Sequence, residues 1–466
     1  MTTDLTKGSP MKQIFLFSIP FLIGNLFQQF YNIADMVIVG RTLDTNAYAA
    51  VASTGGLVWF TSGAVQALTA GFAAITARFF GAKDEEGIKR SFASAIKLSA
   101  LLSILLAVLC VIFCRPILEL LRTPSDIFDR TYRYIIWMFA GLIATALFNL
   151  LSNMLRSLGD SKTPLYFLVI ACVINIILDF LFIAVCGMDT DGAGLATVLA
   201  QLISGLLCIV YIAKKHPLLH VKRRHFKSDK ALDLSLLRIG IPMAFLNMVL
   251  SVGSIIIQFV TNGMGTLYVS AQATGAKIET FVTQPLLSLG SASAVYAAQN
   301  YGAGKYSRIV EGGRKTFLLG AAWSLIACLL LIPFGKAVVA LLASGASDEV
   351  ISNAYLYILI NTLLSFMVGP LIIGKSILQA LGITTMSMIS GFTEIVGRAG
   401  ISIAVSCLIS ASVLDLTSAY TVMCFATPTA WLCGLIPVMI DYIIAARRLS
   451  KQAASELATD SSQTAE

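Results

Sequence analysis

The chain has 466 residues, of which 57% are apolar and only 12% are charged. A soluble domain is ordinarily about 45–50% apolar and about 25% charged, whereas the mean hydropathy here is +0.82. These values exclude a soluble globular enzyme, a disordered chain and a disulfide-stabilised secreted domain, and they indicate a polytopic membrane protein. The net charge of +8 comes from basic residues in loops between apolar segments, so it does not indicate a nucleic-acid partner.

Twelve apolar segments follow one another along the chain, each long enough to cross a bilayer as a helix. Only helices and closed barrels satisfy the backbone in hydrocarbon, and barrel strands need just about 9–11 residues. We therefore predict an all-α polytopic membrane protein with twelve transmembrane helices in two pseudo-symmetric six-helix lobes. The segments cover residues 13–39, 53–79, 92–114, 131–155, 164–186, 193–213, 236–262, 272–299, 316–335, 353–380, 386–409 and 418–446.

Lys and Arg are distributed unevenly over the loops between these segments. If the N-terminus lies in the cytoplasm, the cytoplasmic segments hold 23 basic residues and the external loops hold six. The positive-inside rule then predicts a multi-pass protein with both termini in the cytoplasm. This orientation agrees with an even number of spans.

A basic segment at residues 214–235 makes the sharpest break in the chain and contains all three histidines. We interpret it as a solvated cytoplasmic linker. It would join an N-terminal six-helix lobe, residues 1–213, to a C-terminal six-helix lobe, residues 236–446. Residues 447–466 are polar and rich in Ser, Thr and Ala, and they are expected to form a disordered cytoplasmic tail.

An internal repeat supports this division. Ser18-Ile19-Pro20 recurs as Gly240-Ile241-Pro242, and Phe80-Gly81-Ala82 recurs as Tyr301-Gly302-Ala303, at offsets of 222 and 221 residues. Because six spans is an even number, both halves enter the membrane in the same direction. Parallel repeats around a central cavity are an architecture of secondary transporters.

Ionisable residues inside the spans are costly in lipid and are therefore functional candidates. Asp35 lies in the first span. Asn175 and Asp179 lie in the fifth, and their spacing of four places them on one helix face. Two carboxylates and an amide facing a cavity could bind Na⁺ through oxygen ligands or share a proton. The alternatives are a buried polar cluster that only packs helices together, or aspartates near the outer interface that reach water.

The second half of the chain offers Glu279 in the eighth span. It has two interpretations that the sequence leaves open: a cation site, or a structural ion pair with Lys375 or Arg398. Glu394 and Arg398 are four residues apart, which is the spacing of an ion pair on one helix. We therefore expect these two to pair with each other.

The chain resembles the multidrug and toxic compound extrusion (MATE) family of antiporters over residues 8–447. Its first residues are similar to the MepA-type branch of bacterial exporters. The resemblance rests on four stretches, Ile19–Gly40, Leu158–Pro164, Asn175–Asp179 and Gln299–Gly304.

The resemblance implies a secondary active multidrug exporter and not an enzyme. It would exchange cationic amphiphilic or aromatic compounds for H⁺ or Na⁺ by alternating access, without a cofactor. The cation site of several members maps here onto Asp35, Asn175, Asp179, Thr197 and Tyr134, with the first four as candidate Na⁺ ligands. Other members place a site in the C-terminal lobe, where Glu279 is the candidate for substrate or cation binding.

The implied setting is the bacterial inner (plasma) membrane, where the partners would be small cationic organic substrates and the lipid bilayer. No nucleic-acid partner is expected, and the protein is expected to be a monomer. The alternative function is that of a flippase of the same superfamily, moving a lipid-linked substrate. Such a protein would favour a strongly basic cavity, whereas the spans here contain few basic residues.

Overall fold

The computed structural model describes residues 3–227, 229–343 and 345–463, with side chains described as far as residue 455 in the last helix. The regular structure within these ranges is helical throughout, with seventeen α-helices. A π-helix (Phe180–Val185) follows α8, and 3-10 turns cover Pro217–Leu219, Arg223–Phe226 and Ser365–Met367. The α-helices are α1 (Pro10–Thr42), α2 (Thr45–Ser53), α3 (Gly55–Gly81), α4 (Glu85–Ile112), α5 (Cys114–Leu120), α6 (Phe128–Ala140), α7 (Leu142–Ser157), α8 (Lys162–Asp179), α9 (Thr190–Lys215), α10 (Lys230–Gly263), α11 (Thr266–Gly302), α12 (Tyr306–Leu342), α13 (Asp348–Leu363), α14 (Val368–Ala380), α15 (Thr385–Ser410), α16 (Leu416–Met423) and α17 (Ala426–Gln463).

Ten helical segments among the described residues are long and apolar enough to cross a membrane, and the pair α6 and α7, bent by 43°, makes an eleventh. The predicted span at residues 272–299 falls on α11. Its 37 residues are long enough, but its many Ser, Thr and Gln side chains keep it out of these eleven. The predicted fold class, an all-α polytopic membrane protein, is confirmed.

The chain forms two compact units. Unit 1 contains residues 19–248 together with the first six residues, and unit 2 contains residues 7–18 and 249–466. The basic segment at 214–235, interpreted above as a linker, therefore lies wholly within unit 1. The division instead falls inside the long helices α1 and α10.

Unit 1 is held together by close helix packing around large apolar side chains. Phe72 of α3 and Met154 of α7 are fully buried in one cluster. The backbones of α3 and α10 approach so closely that a Cβ added to Gly71 would lie 2.7 Å from the Cα of Gly240. Small residues at such crossings allow membrane helices to pack by van der Waals contact.

Unit 2 has its own core, which is rich in tyrosine. Tyr268, Tyr357 and Tyr420 are buried within one cluster. The rings of Tyr268 and Tyr420 lie 4.9 Å apart between centroids, a distance typical of attractive aromatic pairs. A buried tyrosine carries a polar hydroxyl, so this core can also hold hydrogen-bonded groups.

The basic segment keeps its lysines and arginines exposed, as a solvated loop would, but buries two of its three histidines. His216 and His225 are buried, at 8% and 3% exposure. His216 Nε2 lies 3.6 Å from Asp160 Oδ2, and His225 Nε2 lies 3.2 Å from Glu86 Oε1. Carboxylates in the α7–α8 turn and in the first turn of α4 therefore offset the cost of burying the two rings.

Asp160 sits in the turn between α7 and α8 and has several hydrogen-bond donors. The backbone nitrogen and hydroxyl of Thr163 donate to its two oxygens at 3.0 and 2.7 Å. Burial raises the pKa of Asp160, but the hydrogen bonds from His216 and Thr163 outweigh it, so the net pKa is lowered. The turn is thus stabilised by the charged form of this side chain.

The last helix extends beyond the apolar segment that begins it. Helix α17 runs through Gln463, so the tail expected to be disordered is helical over most of its length. Residues 464–466 lie outside the described residues.

We expect Gly71→Ala to destabilise unit 1, because the added methyl group would meet the Gly240 backbone, which cannot rotate away. Overpacking of this kind costs about 1–3 kcal/mol. Gly56→Ala in the same helix is the matched control, since a Cβ there meets nothing within 4 Å. Thermal unfolding in detergent should show a lower midpoint for Gly71→Ala alone; equal midpoints would contradict the close approach.

We expect Asp160→Asn to lower thermal stability at neutral pH, because it removes the charge that His216 and Thr163 stabilise. A carboxyl with a lowered folded pKa contributes stability above its unfolded pKa of about 4 and loses it as pH falls through the folded value. The difference between wild type and variant should therefore shrink as the pH falls below about 4. Exposed Asp126→Asn is the control, and a difference that stays constant from pH 7 to pH 3 would refute this account.

Candidate functional site

Five predicted site residues come from four elements of unit 1 and converge in its interior. Asp35 is on α1, Tyr134 on α6, Asn175 and Asp179 on α8, and Thr197 on α9. All five are buried, with exposures of 6% or less. Their proximity agrees with the predicted grouping, although their role in coupling stays a prediction.

The carboxyl groups of Asp35 and Asp179 are close enough to hydrogen-bond to each other when one is protonated. Each keeps one oxygen, Oδ1, for which no donor exists in the described part of the chain. Nor does any described Lys, Arg or His form an ion pair with either carboxyl. Two adjacent buried carboxylates without a basic partner are strongly destabilised unless a proton or a cation joins them.

Asn175 connects this pair to α9. When its amide nitrogen faces Asp179, it donates to Oδ2 at 2.9 Å, and its oxygen accepts from the Thr197 backbone at 3.3 Å. The i, i+4 spacing on α8 places the amide and the carboxyl one above the other. The amide therefore orients the Asp179 carboxyl and connects it to the neighbouring helix.

Tyr31 completes the network, and the sequence analysis did not include it. Its hydroxyl donates to Thr197 Oγ1 at 3.1 Å. Tyr31 precedes Asp35 by four residues on α1, so the same spacing that linked Asn175 to Asp179 was the signal that could have identified it. Tyr134 lies near enough to both carboxyls to interact with them electrostatically.

The backbone around Asp179 departs from the α-helix. Helix α8 ends at Asp179, and the π-helix Phe180–Val185 begins at the next residue. Single π-turns of this kind are rare and are frequently found at functional sites. The wider turn places a change of helical register directly beside the buried carboxyl.

One arginine joins the elements that carry the site. Arg130 of α6 donates to Asp44, which follows α1, at 2.6 Å and to Asp189, which begins α9, at 2.8 Å. The hydrogen bond from Arg130 lowers the pKa of Asp44 from its usual value. The helices of Asp35, Tyr134 and Thr197 are thus held together at one end.

Glu279 has a different environment, in unit 2. It accepts a hydrogen bond from the Tyr357 hydroxyl at 2.5 Å, and Arg398 attracts it electrostatically. A cavity of about 10 Å³ lies beside it, lined also by Asn361, Ser365 and other residues, and such a volume is at the lower limit for one water molecule. Its role in cation or substrate binding remains a prediction.

The expected pairing of Glu394 with Arg398 is wrong. Glu394 Oε1 pairs with Lys375 Nζ of α14 at 2.7 Å, and Arg398 instead lies 3.4 Å from the Leu250 carbonyl oxygen. The i, i+4 spacing permits an ion pair on α15, but a lysine from the neighbouring helix reaches the buried carboxylate. Lys375 is therefore not the partner of Glu279.

The fold and the site together define a polytopic membrane transporter. The model of the MatE family matches the chain twice, at residues 20–181 and 242–403. The two matches start 222 residues apart, which agrees with the internal repeat. The chain belongs to the MatE family, whose members are transporters and not enzymes, as the names of its curated relatives indicate.

The chain is similar to several described proteins over most of its length. It is 30% identical to the "Probable multidrug resistance protein YoeA" of Bacillus subtilis, over 78% of this chain and 81% of the relative. It is 23% identical to the "Multidrug export protein MepA" of Staphylococcus haemolyticus, over 83% and 85%. These names do not favour the flippase alternative.

Solved structures share the fold. One is described as the outward-facing conformation of a multidrug resistance MATE family transporter of the MOP superfamily. It aligns over 97% of this chain and 99% of its own, with a TM-score of 0.86 and 18% identity.

We expect Lys375→Met to destabilise unit 2 by about 3–5 kcal/mol, because it leaves the buried Glu394 carboxylate without its cation. The double variant Lys375→Met with Glu394→Gln should recover much of that loss, since no charge remains uncompensated. Thermal unfolding in detergent measures both variants. If the double variant is no more stable than the single one, the ion pair does not account for the effect.

Proposed function

We propose that the protein is a secondary active multidrug exporter. It exchanges cationic amphiphilic or aromatic compounds for H⁺ or Na⁺. The observation that carries the proposal is the buried pair Asp35 and Asp179, which has, among the described residues, no donor for two of its oxygens and no basic partner. The names of the relatives support both the outward direction of transport and drugs as the class of substrate.

The cation site comprises Asp35, Asn175, Asp179 and Thr197, with Tyr134 nearby. Their oxygen atoms are the ligand type that hard cations such as Na⁺ prefer, and a shared proton between the two carboxyls would serve equally well. Tyr31 positions Thr197 through its hydrogen bond. No further cofactor enters this scheme.

Alternating access follows from neutralisation of the carboxyl pair. When the cavity is open outward, a cation binds Asp35 and Asp179 and removes their repulsion, which changes how α1 packs. Pro20 lies inside α1, and its missing backbone hydrogen bond makes it a point at which the helix can bend. The drug leaves outward, and the cation is then released inward.

Coupling requires that drug and cation favour different states or compete for the same charge. One charge crossing 100 mV is worth about 2.3 kcal/mol. Exchange of one cation for one monovalent cationic drug cancels the voltage, so the ion gradient alone would drive export. Two carboxyls leave room for a second cation, which would restore a contribution from the voltage.

We place the protein in the bacterial inner membrane as a monomer. The distribution of basic residues supports an orientation with both termini in the cytoplasm. Glu279 is a secondary candidate for substrate or cation binding in unit 2. Its hydrogen bond from Tyr357 and the attraction of Arg398 already satisfy part of its charge, so we rank it below the carboxyl pair.

The proposal is tested by ethidium efflux from proteoliposomes under a pH gradient alone and a Na⁺ gradient alone. We expect Asp35→Asn and Asp179→Asn each to lower efflux at least about tenfold, since an amide cannot exchange a proton and offers a weaker cation ligand. Asp441→Asn, which removes a carboxyl near the end of the last span, is the matched control and should retain efflux. The gradient that drives the wild type identifies the coupling ion.

Correct folding of each variant is checked by its elution from a sizing column and by its unfolding midpoint. Full efflux in both aspartate variants would exclude the unit 1 site and direct attention to Glu279→Gln. A wild type that exports ethidium under neither gradient would overturn the exporter proposal.

A further inference from the structure

A surface groove in unit 2 lies outside the site described above. It has a volume of about 630 Å³ and runs between the first turns of α12 and the last turns of α17. Its lining combines polar and small apolar side chains: Ser307, Val310, Glu311, Arg314, Lys315, Leu318, Ser450, Ala453 and Ala454.

The position of the groove along the two helices places it at a membrane surface. Arg314 and Lys315 stand directly before the apolar segment 316–335, and Arg447 stands directly after the segment 418–446. The two helices pack together just below this level, where the rings of Phe317 and Tyr442 lie 5.0 Å apart. The open groove therefore lies at the level of the lipid headgroups.

The charges of the groove favour an anion. Arg314 and Lys315 form no ion pair with another described residue, and Arg447 is exposed one turn before Ser450 on α17. Glu311 is the one acid among the described lining residues, so the two described cations outnumber it. The hydroxyl groups of Ser307 and Ser450 add donors for phosphate oxygens.

The apolar part of the groove faces the bilayer. Leu318 is 62% exposed and lies one turn further along α12 than Arg314, inside the apolar segment. A molecule that fits both features has an anionic phosphodiester and an acyl chain that begins beside it. Basic pockets between transmembrane helices at this surface are sites for anionic lipid headgroups.

We propose that this groove binds an anionic phospholipid, with the phosphodiester between Arg314 and Lys315 and an acyl chain over Leu318. The acidic end of the chain is a less suitable occupant. Helix α17 itself forms one wall as far as Ala454 and continues as a helix through Gln463, so its backbone does not fold back over the groove within that range.

The test is native mass spectrometry of the full chain with added phosphatidylglycerol or phosphatidylcholine. We expect the wild type to retain phosphatidylglycerol preferentially and the variant Arg314→Gln with Lys315→Gln to lose about fivefold or more of those adducts. The matched control is Lys214→Gln with Lys215→Gln, which removes the same charge from an exposed helix end of unit 1 and should keep them.

Three results would overturn the proposal. Equal loss in the control would mean that lipid responds only to the total charge of the surface. Equal protection of the wild type by inorganic phosphate alone, measured as a shift in unfolding midpoint, would assign the groove to a free anion. Phosphatidylglycerol adducts that are absent from the wild type and form only in Glu456→Gln with Asp460→Asn would identify the acidic end of the chain as the occupant.

Discussion

The structure of unit 1 depends on the cost of burying two carboxyl groups beside each other. Asp35 and Asp179 are 6% and 0% exposed, and a pair of like charges in a medium of low dielectric repels strongly. Two neighbouring side chains reduce this cost or position the groups around it. The Asn175 amide donates to one carboxyl, and Tyr31 orients the threonine beside it. We propose that a mobile cation removes the remaining repulsion, and that the pair serves in coupling for this reason.

Unit 2 meets the same cost in another way. Its buried Glu394 has a lysine within 2.7 Å, and Glu279 has the Tyr357 hydroxyl and the nearby charge of Arg398. A carboxylate with a fixed partner has less need of a mobile ion. Two halves related by an internal repeat have thus acquired different electrostatics, and this difference supports cation coupling in unit 1.

The basic residues on the surface of each unit are also placed by the cost of removing a charge from water. Basic residues gather at the ends of the apolar helices, where they remain hydrated and face acidic loops or lipid headgroups. In unit 1 the basic segment at 214–235 is held in place by His216 and His225, which contact the carboxyl groups of Asp160 and Glu86. In unit 2 Arg314 and Lys315 line an open groove. Composition alone does not distinguish the packed basic segment from the open one.

The sequence by itself determined the membrane class, the helical spans and the repeat, because these depend on local hydrophobicity and spacing. It also predicted five of the residues that converge in the candidate site, from i, i+4 spacing and family motifs. Tertiary structure decided which distant side chains meet. Tyr31 and Thr197 are separated by 166 residues, and Lys375 reaches Glu394 from another helix. Such contacts depend on the angles and registers at which helices pack. A sequence offers several basic residues as possible partners for one carboxylate, and charge alone does not select among them. The burial of the two histidines was decided in the same way.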